Sequence, residues 1–172
     1  MRQRKPRALP ESANVLLVGT GGREHALAWK LKQSSHLGTL WVESTGNAGL
    51  LQLGRPCPES LKTPLNNNDT FRLRKFCEEE KIDLVVVGPE APLADGLADI
   101  LASEKTLVFG PTASGAKLEA DKGYAKQLMR TAAIATAEGR TFTDRDSALH
   151  YLEQRDEPCV VKASGLAAGK GV

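Results

Sequence analysis

An α/β fold built on a parallel sheet is predicted by three features of this 172-residue chain. Short apolar runs rich in β-branched residues recur along it, amphipathic helical stretches separate them, and glycine stands directly after several of the runs. Strands alternating with helices at these lengths imply right-handed crossovers and hence parallel pairing. In such open sheets ligands lie beyond the carboxyl ends of the strands, near the point where the strand order reverses.

The first strand is Val15-Leu16-Leu17-Val18, ended by Gly19. Gly21-Gly22 then opens a helix to about Gln33, with Leu27 and Leu31 on one face. A second strand follows at Thr39-Leu40-Trp41-Val42. Residues 44–68 are rich in Gly, Pro and Asn and read as loop and irregular structure. Asp69 is a suitable N-cap for a helix bearing Leu73, Phe76 and Cys77, whose Glu78-Glu79-Glu80 run is a solvated face. Ile82-Asp83-Leu84-Val85-Val86-Val87 is the strongest strand, apolar enough to be buried on both faces. Leu93, Leu97, Ile100 and Leu101 mark one amphipathic helix, and residues 106–109 the next strand.

Beyond Gly115 the pattern changes, which places a domain boundary near residues 115–122. A helix from about Asp121 carries Tyr124, Ala125, Leu128 and Met129. Arg140-Thr141-Phe142 reads as a short strand, and Thr143 to Asp146 as a capping box for a helix with Ala148, Leu149 and Leu152. Cys159-Val160-Val161-Lys162-Ala163 reads as a final strand.

Composition narrows the function. With 41% hydrophobic and 26% charged residues, this is the make-up of a soluble globular chain. The run Leu84–Val87 is far too short to span a bilayer, so no membrane role is expected. The net charge of +2 conceals a basic leader: residues 1–13 carry +3 and the rest −1. That leader reads as a disordered extension, and nothing else suggests a nucleic-acid surface. Cys57, Cys77 and Cys159 are odd in number and without metal spacing, which fits thiols in a reducing cytosol. Cys77 and Cys159 are expected in the core, and the three histidines offer no metal-ligand spacing.

Three segments carry chemistry. Gly19-Thr20-Gly21-Gly22-Arg23-Glu24-His25 joins the first strand to the first helix, where close backbone approach and unpaired N–H groups suit an anion. A tight turn would need glycine for shape alone. The dinucleotide fingerprint wants a third glycine where Glu24 stands, yet Glu43 after the second strand can act as its ribose-binding acid. A nicotinamide-dependent oxidoreductase therefore stays open at this point. Gly88-Pro89-Glu90 presents a carboxylate at the end of the most buried strand, either for a substrate hydroxyl or for the helix dipole. Lys162, in an apolar strand, either reaches solvent or meets an anion. The following Gly165, Gly169, Lys170 and Gly171 form a glycine-rich loop whose spacing is not that of a Walker A motif.

Taken together, the stretches 21–30, 46–49, 86–93, 109–112 and 161–172 resemble the phosphoribosylamine–glycine ligase (glycinamide ribonucleotide synthetase) family of ATP-grasp enzymes. The resemblance implies a basic extension at 1–13, a Rossmann-like substrate-binding domain at 14–118 (a pre-ATP-grasp domain), and the start of an ATP-grasp domain at 119–172. It implies the joining of glycine to 5-phosphoribosylamine in purine (IMP) synthesis, with ATP hydrolysed to ADP and phosphate. Magnesium is the implied metal, with manganese an alternative, and the cytoplasm the implied location. Substrate contacts are implied for Gly19, Gly21, Gly22, Arg23, Glu24, His25, Asn47, Gly88, Pro89 and Glu90. Lys122 and Lys162 match two nucleotide-binding lysines, with Gly165, Gly169, Lys170 and Gly171 in the lid over the phosphates. Other ATP-grasp carboxylate–amine ligases, or a non-catalytic ribose-phosphate-binding module, are the alternatives. Two departures stand out: Ala135 where the family has proline, and Ser44-Thr45 where it has a small residue and proline. The family's metal-binding carboxylates and glycine site fall beyond Val172, so this chain is expected to be a ligase fragment, inactive by itself.

Overall fold

The computed structural model describes residues 9–61, 65 and 69–167. The chain divides into two compact units, Met1–Gly115 and Ala116–Val172. The first contains β1 (Ala13–Val18), α1 (Gly22–Leu31), β2 (Leu37–Val42), α2 (Ala48–Leu53), β3 (Arg55–Pro56), α3 (Thr70–Glu79), β4 (Ile82–Val87), α4 (Glu90–Ala94), α5 (Leu97–Leu101) and β5 (Leu107–Phe109). Its five strands lie in the order β3-β2-β1-β4-β5, every neighbouring pair parallel. The chain steps outward from β1 to β3, then returns to lay β4 on the other side of β1. The order therefore reverses between β1 and β4, whose carboxyl ends frame the crevice where such sheets bind ligands.

Central strands account for the apolar runs. Leu16, Leu17, Val18, Val42 and Val85 have no exposed surface, and each contributes roughly 1.5–3 kcal/mol by burial. On one face Val15, Leu17, Leu40, Val42 and Val86 pack with Ala28 of α1 and Leu50 of α2, with Leu27 and Leu31 at the edge of the cluster. On the other, Trp41 meets the edge of Phe76 of α3 at 5.1 Å, and the Arg55 guanidinium lies 4.4 Å over the Trp41 ring. Asp69 caps α3 as expected, accepting the Arg72 N–H.

Three parts of the chain before Asp121 differ from the sequence reading. Helix α2 and strand β3 form inside the stretch read as loop; Asn47 caps α2, and the two-residue β3 exists only through its pairing with β2. The single helix expected across Leu93 to Leu101 is broken at Gly96, whose φ of +87° is a left-handed conformation that ends α4 and starts α5. A further helix, α6 (Ala113–Ala120), precedes Asp121.

In the second unit α7 (Lys122–Thr131) is capped by Asp121, and α8 (Arg145–Glu153) by Asp144 rather than Thr143. Neither strand read there forms among the described residues. Strands require ladder partners, and none pairs with 140–142 or 159–163. Instead Phe142 stacks 5.2 Å from Tyr151, with Arg140 over both rings. Val160 and Val161 are each 69% exposed, and Cys159 is exposed rather than in the core. No helix among the described residues is long and apolar enough to cross a membrane.

Candidate functional site

Three loops at the carboxyl end of the first unit's sheet are fastened to one another. Gly19 leaves β1 with φ +113°, and a Cβ there would meet Glu24 and Pro89 at 2.7 Å. Gly21 is the N-cap of α1, and its N–H donates to Glu24 Oε2 at 2.7 Å. The Glu24 side chain is buried against Gly88, where an added Cβ would lie 2.7 Å from its Cδ. Glycine at 19 and 88 thus makes room for one carboxylate wedged between the β1 and β4 loops.

Arg23 completes that junction. Its guanidinium donates to the Gly88 carbonyl and lies 3.6 Å from Glu90 Oε2, with both side chains still partly open to solvent. From the β2 side, Asn47 Nδ2 donates to the carbonyls of Thr20 and Gly21 at 3.0 and 3.2 Å, while its Oδ1 accepts the Leu50 N–H. His25 is exposed, and its ring lies over Gly49, where an added Cβ would be 2.9 Å from Nε2. The structure therefore brings Gly19, Gly21, Arg23, Glu24, Asn47, Gly88, Pro89 and Glu90 to one place. Glu24 faces inward as a brace, while Arg23, Glu90 and the first turn of α1 remain accessible.

Glu43 behaves differently from the ribose-binding acid the sequence left open. It is fully buried, accepting the Gly19 N–H at 2.7 Å and the Leu65 N–H at 3.0 Å. Burial raises its pKa, opposed by those two bonds and reinforced by the Glu24 charge. A carboxylate so enclosed is not offered to a cofactor. Burial also pushes the Cys57 and Cys77 thiols up to about 12, which removes them as nucleophiles near neutral pH.

In the second unit the N-terminus of α7 is clasped to residues 164–165. Lys122 N–H donates to the Ser164 carbonyl at 3.0 Å, and Lys122 Nζ to the Gly165 carbonyl at 2.8 Å. Ser164 Oγ accepts from Gly123 N–H and donates to Asp121 Oδ1. The Tyr124 N–H, then the Ser164 hydroxyl, hold the Asp121 carboxyl below its usual range. This clasp was missed by sequence reasoning, although the helix expected from about Asp121 begins at its centre. Lys162 is exposed, with no strand to bury it. Gly169, Lys170 and Gly171 lie outside the described residues. Among the described residues no group of three or more His, Cys, Asp or Glu could hold a metal ion.

An open parallel sheet with its glycine loops braced at the strand-order reversal defines a Rossmann-like α/β domain. Residues 13–119 match the model of the phosphoribosylglycinamide synthetase N domain, and residues 120–172 that of the same enzyme's ATP-grasp (A) domain. The chain belongs to the phosphoribosylglycinamide synthetase family, as a Rossmann-like domain followed by the start of an ATP-grasp domain. It is 48% identical over 163 residues to the human trifunctional purine biosynthetic protein adenosine-3, covering 94% of this chain and 16% of that protein. It is 48% identical to the phosphoribosylamine–glycine ligase of Mesorhizobium japonicum and 45% to that of Escherichia coli, in each case over 92% of this chain and 36% of the relative. The chain thus spans between a sixth and little more than a third of these relatives. Among solved structures, the biotin carboxylase domain of Hydrogenobacter thermophilus 2-oxoglutarate carboxylase, crystallised with MgADP and bicarbonate, shares the fold at TM-score 0.68 and 18% identity. That match covers 91% of this chain and 36% of the other.

Proposed function

We propose that this chain supplies the ribose-phosphate-binding domain and the opening of the nucleotide site of a phosphoribosylamine–glycine ligase. The observation that carries the reading is the Arg23 bridge to Gly88 and Glu90 across the strand-order reversal. It places a cation, a carboxylate and the positive end of α1 together, which suits a substrate bearing a phosphate, hydroxyls and an amine. Arg23 and the first turn of α1 (Gly22 onward) take the phosphate. Glu90 accepts from a ribose hydroxyl or the amine, and His25 and Asn47 close the β2 side. Glu24, with Gly19, Gly21, Gly88 and Pro89, shapes the cleft from beneath. The domain limits 14–118 and 119–172, after a basic extension at 1–13, follow from the same reading.

ATP, with magnesium or manganese, supplies the phosphoryl group that activates the glycine carboxylate for attack by the 5-phosphoribosylamine nitrogen. The fit to this chain is through cations: Lys122 at the N-terminus of α7 and the exposed Lys162 suit phosphate oxygens, and Gly165, Gly169, Lys170 and Gly171 follow in sequence as the glycine-rich run that the family resemblance assigns to the phosphates. Holding both reactants together is the larger part of such chemistry. Location in the cytoplasm accords with thiols kept free.

Calorimetric titration with ribose 5-phosphate, a stable stand-in for the labile amine, tests the reading. Saturable binding is expected, weakened about tenfold or more by Arg23→Ala, in keeping with loss of a charge-assisted contact. Absence of binding, or indifference to Arg23→Ala, would overturn it.

A further inference from the structure

The 19–21 turn is held at successive backbone groups: Gly19 N–H by Glu43, Thr20 and Gly21 carbonyls by Asn47, and Gly21 N–H by Glu24. Of these three side chains, only Glu43 has no exposed surface at all. It stands immediately after β2, reaching across to the end of β1. Its two oxygens take one N–H from the turn and one from Leu65, so both are used inside the protein. Burying a carboxylate is costly, and an apolar side chain could fill the space. What an apolar side chain could not do is accept the buried Gly19 N–H while that residue holds φ +113°.

We propose that Glu43 is a positioning residue for ribose-phosphate binding: its buried carboxylate fixes Gly19 and so sets the turn that aims Arg23 at Gly88 and Glu90. The inference rests on the ribose-phosphate reading above. Glu43 touches no ligand; it acts through the turn. A carboxylate can accept both N–H groups at once, whereas a glutamine carries one oxygen and turns its NH2 toward the other donor. The titratable groups facing Glu43 are Glu24 of α1 and Cys57 after β3.

Glu43→Gln tests this, with three readouts on the full chain. The thermal midpoint is expected to change little, because relief of the buried charge offsets the N–H left facing an amide NH2. The dissociation constant for ribose 5-phosphate is expected to rise about tenfold, as for a reactant group displaced from its optimum. The Gly19 amide proton is expected to move upfield and to exchange faster with solvent. Unchanged affinity with an unchanged Gly19 resonance would overturn the proposal. So would an affinity loss that merely tracks a fall in thermal stability, the mark of a structural role alone. Glu43→Asp, which keeps the charge, is expected to restore part of the affinity. If the unaltered chain does not bind ribose 5-phosphate, the functional reading fails. The Gly19 amide in Glu43→Gln then still decides whether Glu43 positions the turn.

Discussion

In the first unit Leu16, Leu17, Leu50 and Leu97 have no exposed surface; in the second the buried hydrophobic residues among those described are Ala116 and Ala125. The second unit leaves Leu118, Leu128, Ile134 and Leu149 at least 40% exposed. Its order comes instead from N-caps at Asp121 and Asp144, from Arg140 over Phe142 and Tyr151 and Arg155 over Tyr151, and from the Ser164 clasp. A sheet buries apolar area on two faces and gains stability from volume. Helices without a sheet partner rely on local polar contacts, each small and exposed to competition from water. Binding surfaces built on the first kind of scaffold are fixed, whereas those on the second depend on what packs against them.

The contrast can be broken most directly by hydrogen exchange. Amides of β1 and β4 are expected to be protected about a thousandfold more than those of residues 155–167, since local opening ranges from near zero to the global free energy. Equal protection in both regions would remove the distinction. Somewhat smaller is the expected cost of a cavity. Leu16→Ala is expected to destabilise the first unit by about 3 kcal/mol, and Leu128→Ala the second by under about 1 kcal/mol, in chemical denaturation followed by residue-resolved amide signals. Comparable losses would show that the second unit has a core of its own.

The subtlest expected difference is in pH dependence, and the signs are opposite. Burial raises the folded-state pKa of Glu43, so its contribution to stability is present below the ordinary carboxylate range and is lost as pH rises through the raised value. Asp121 and Asp144 are lowered, chiefly by the Tyr124 and Ser147 N–H groups respectively. Their contributions are present above the ordinary Asp value and are lost as pH falls toward the lowered ones. Acidification should therefore fray the starts of α7 and α8, visible in their amide shifts, while relieving the buried charge in the first unit. Parallel responses in both units would contradict these assignments.

Much of the sheet was legible because β1 and β4 are apolar on both faces, which only a central parallel strand requires. The cap at Asp69 and the 3.6-residue stripe of α3 were equally direct. Helix α2 escaped because six residues carry too little periodicity, and β3 because a two-residue strand is defined by its neighbour. The apolar run at 159–163 misled for the converse reason: β-branched residues favour a strand, but hydrogen-bond partners make one. At the site, the residue types that converge were readable from their place after strands. Direction was not. Glu24 and Glu43 stand among loops that a ligand would use, yet both carboxylates point inward onto backbone N–H groups. Only the packing of β1, β2 and β4 decides which way a loop-end carboxylate turns.

Both tryptophans, Trp29 and Trp41, belong to the first unit, and both tyrosines, Tyr124 and Tyr151, to the second. Trp41, enclosed between the Arg55 guanidinium and the Phe76 edge, is a reporter of sheet integrity, while the exposed Trp29 senses solvent. The chain thus carries its own spectroscopic labels, segregated by unit. Selective excitation of indole follows one half without the other, and energy transfer from phenol to indole gauges the distance between them, with no dye attached.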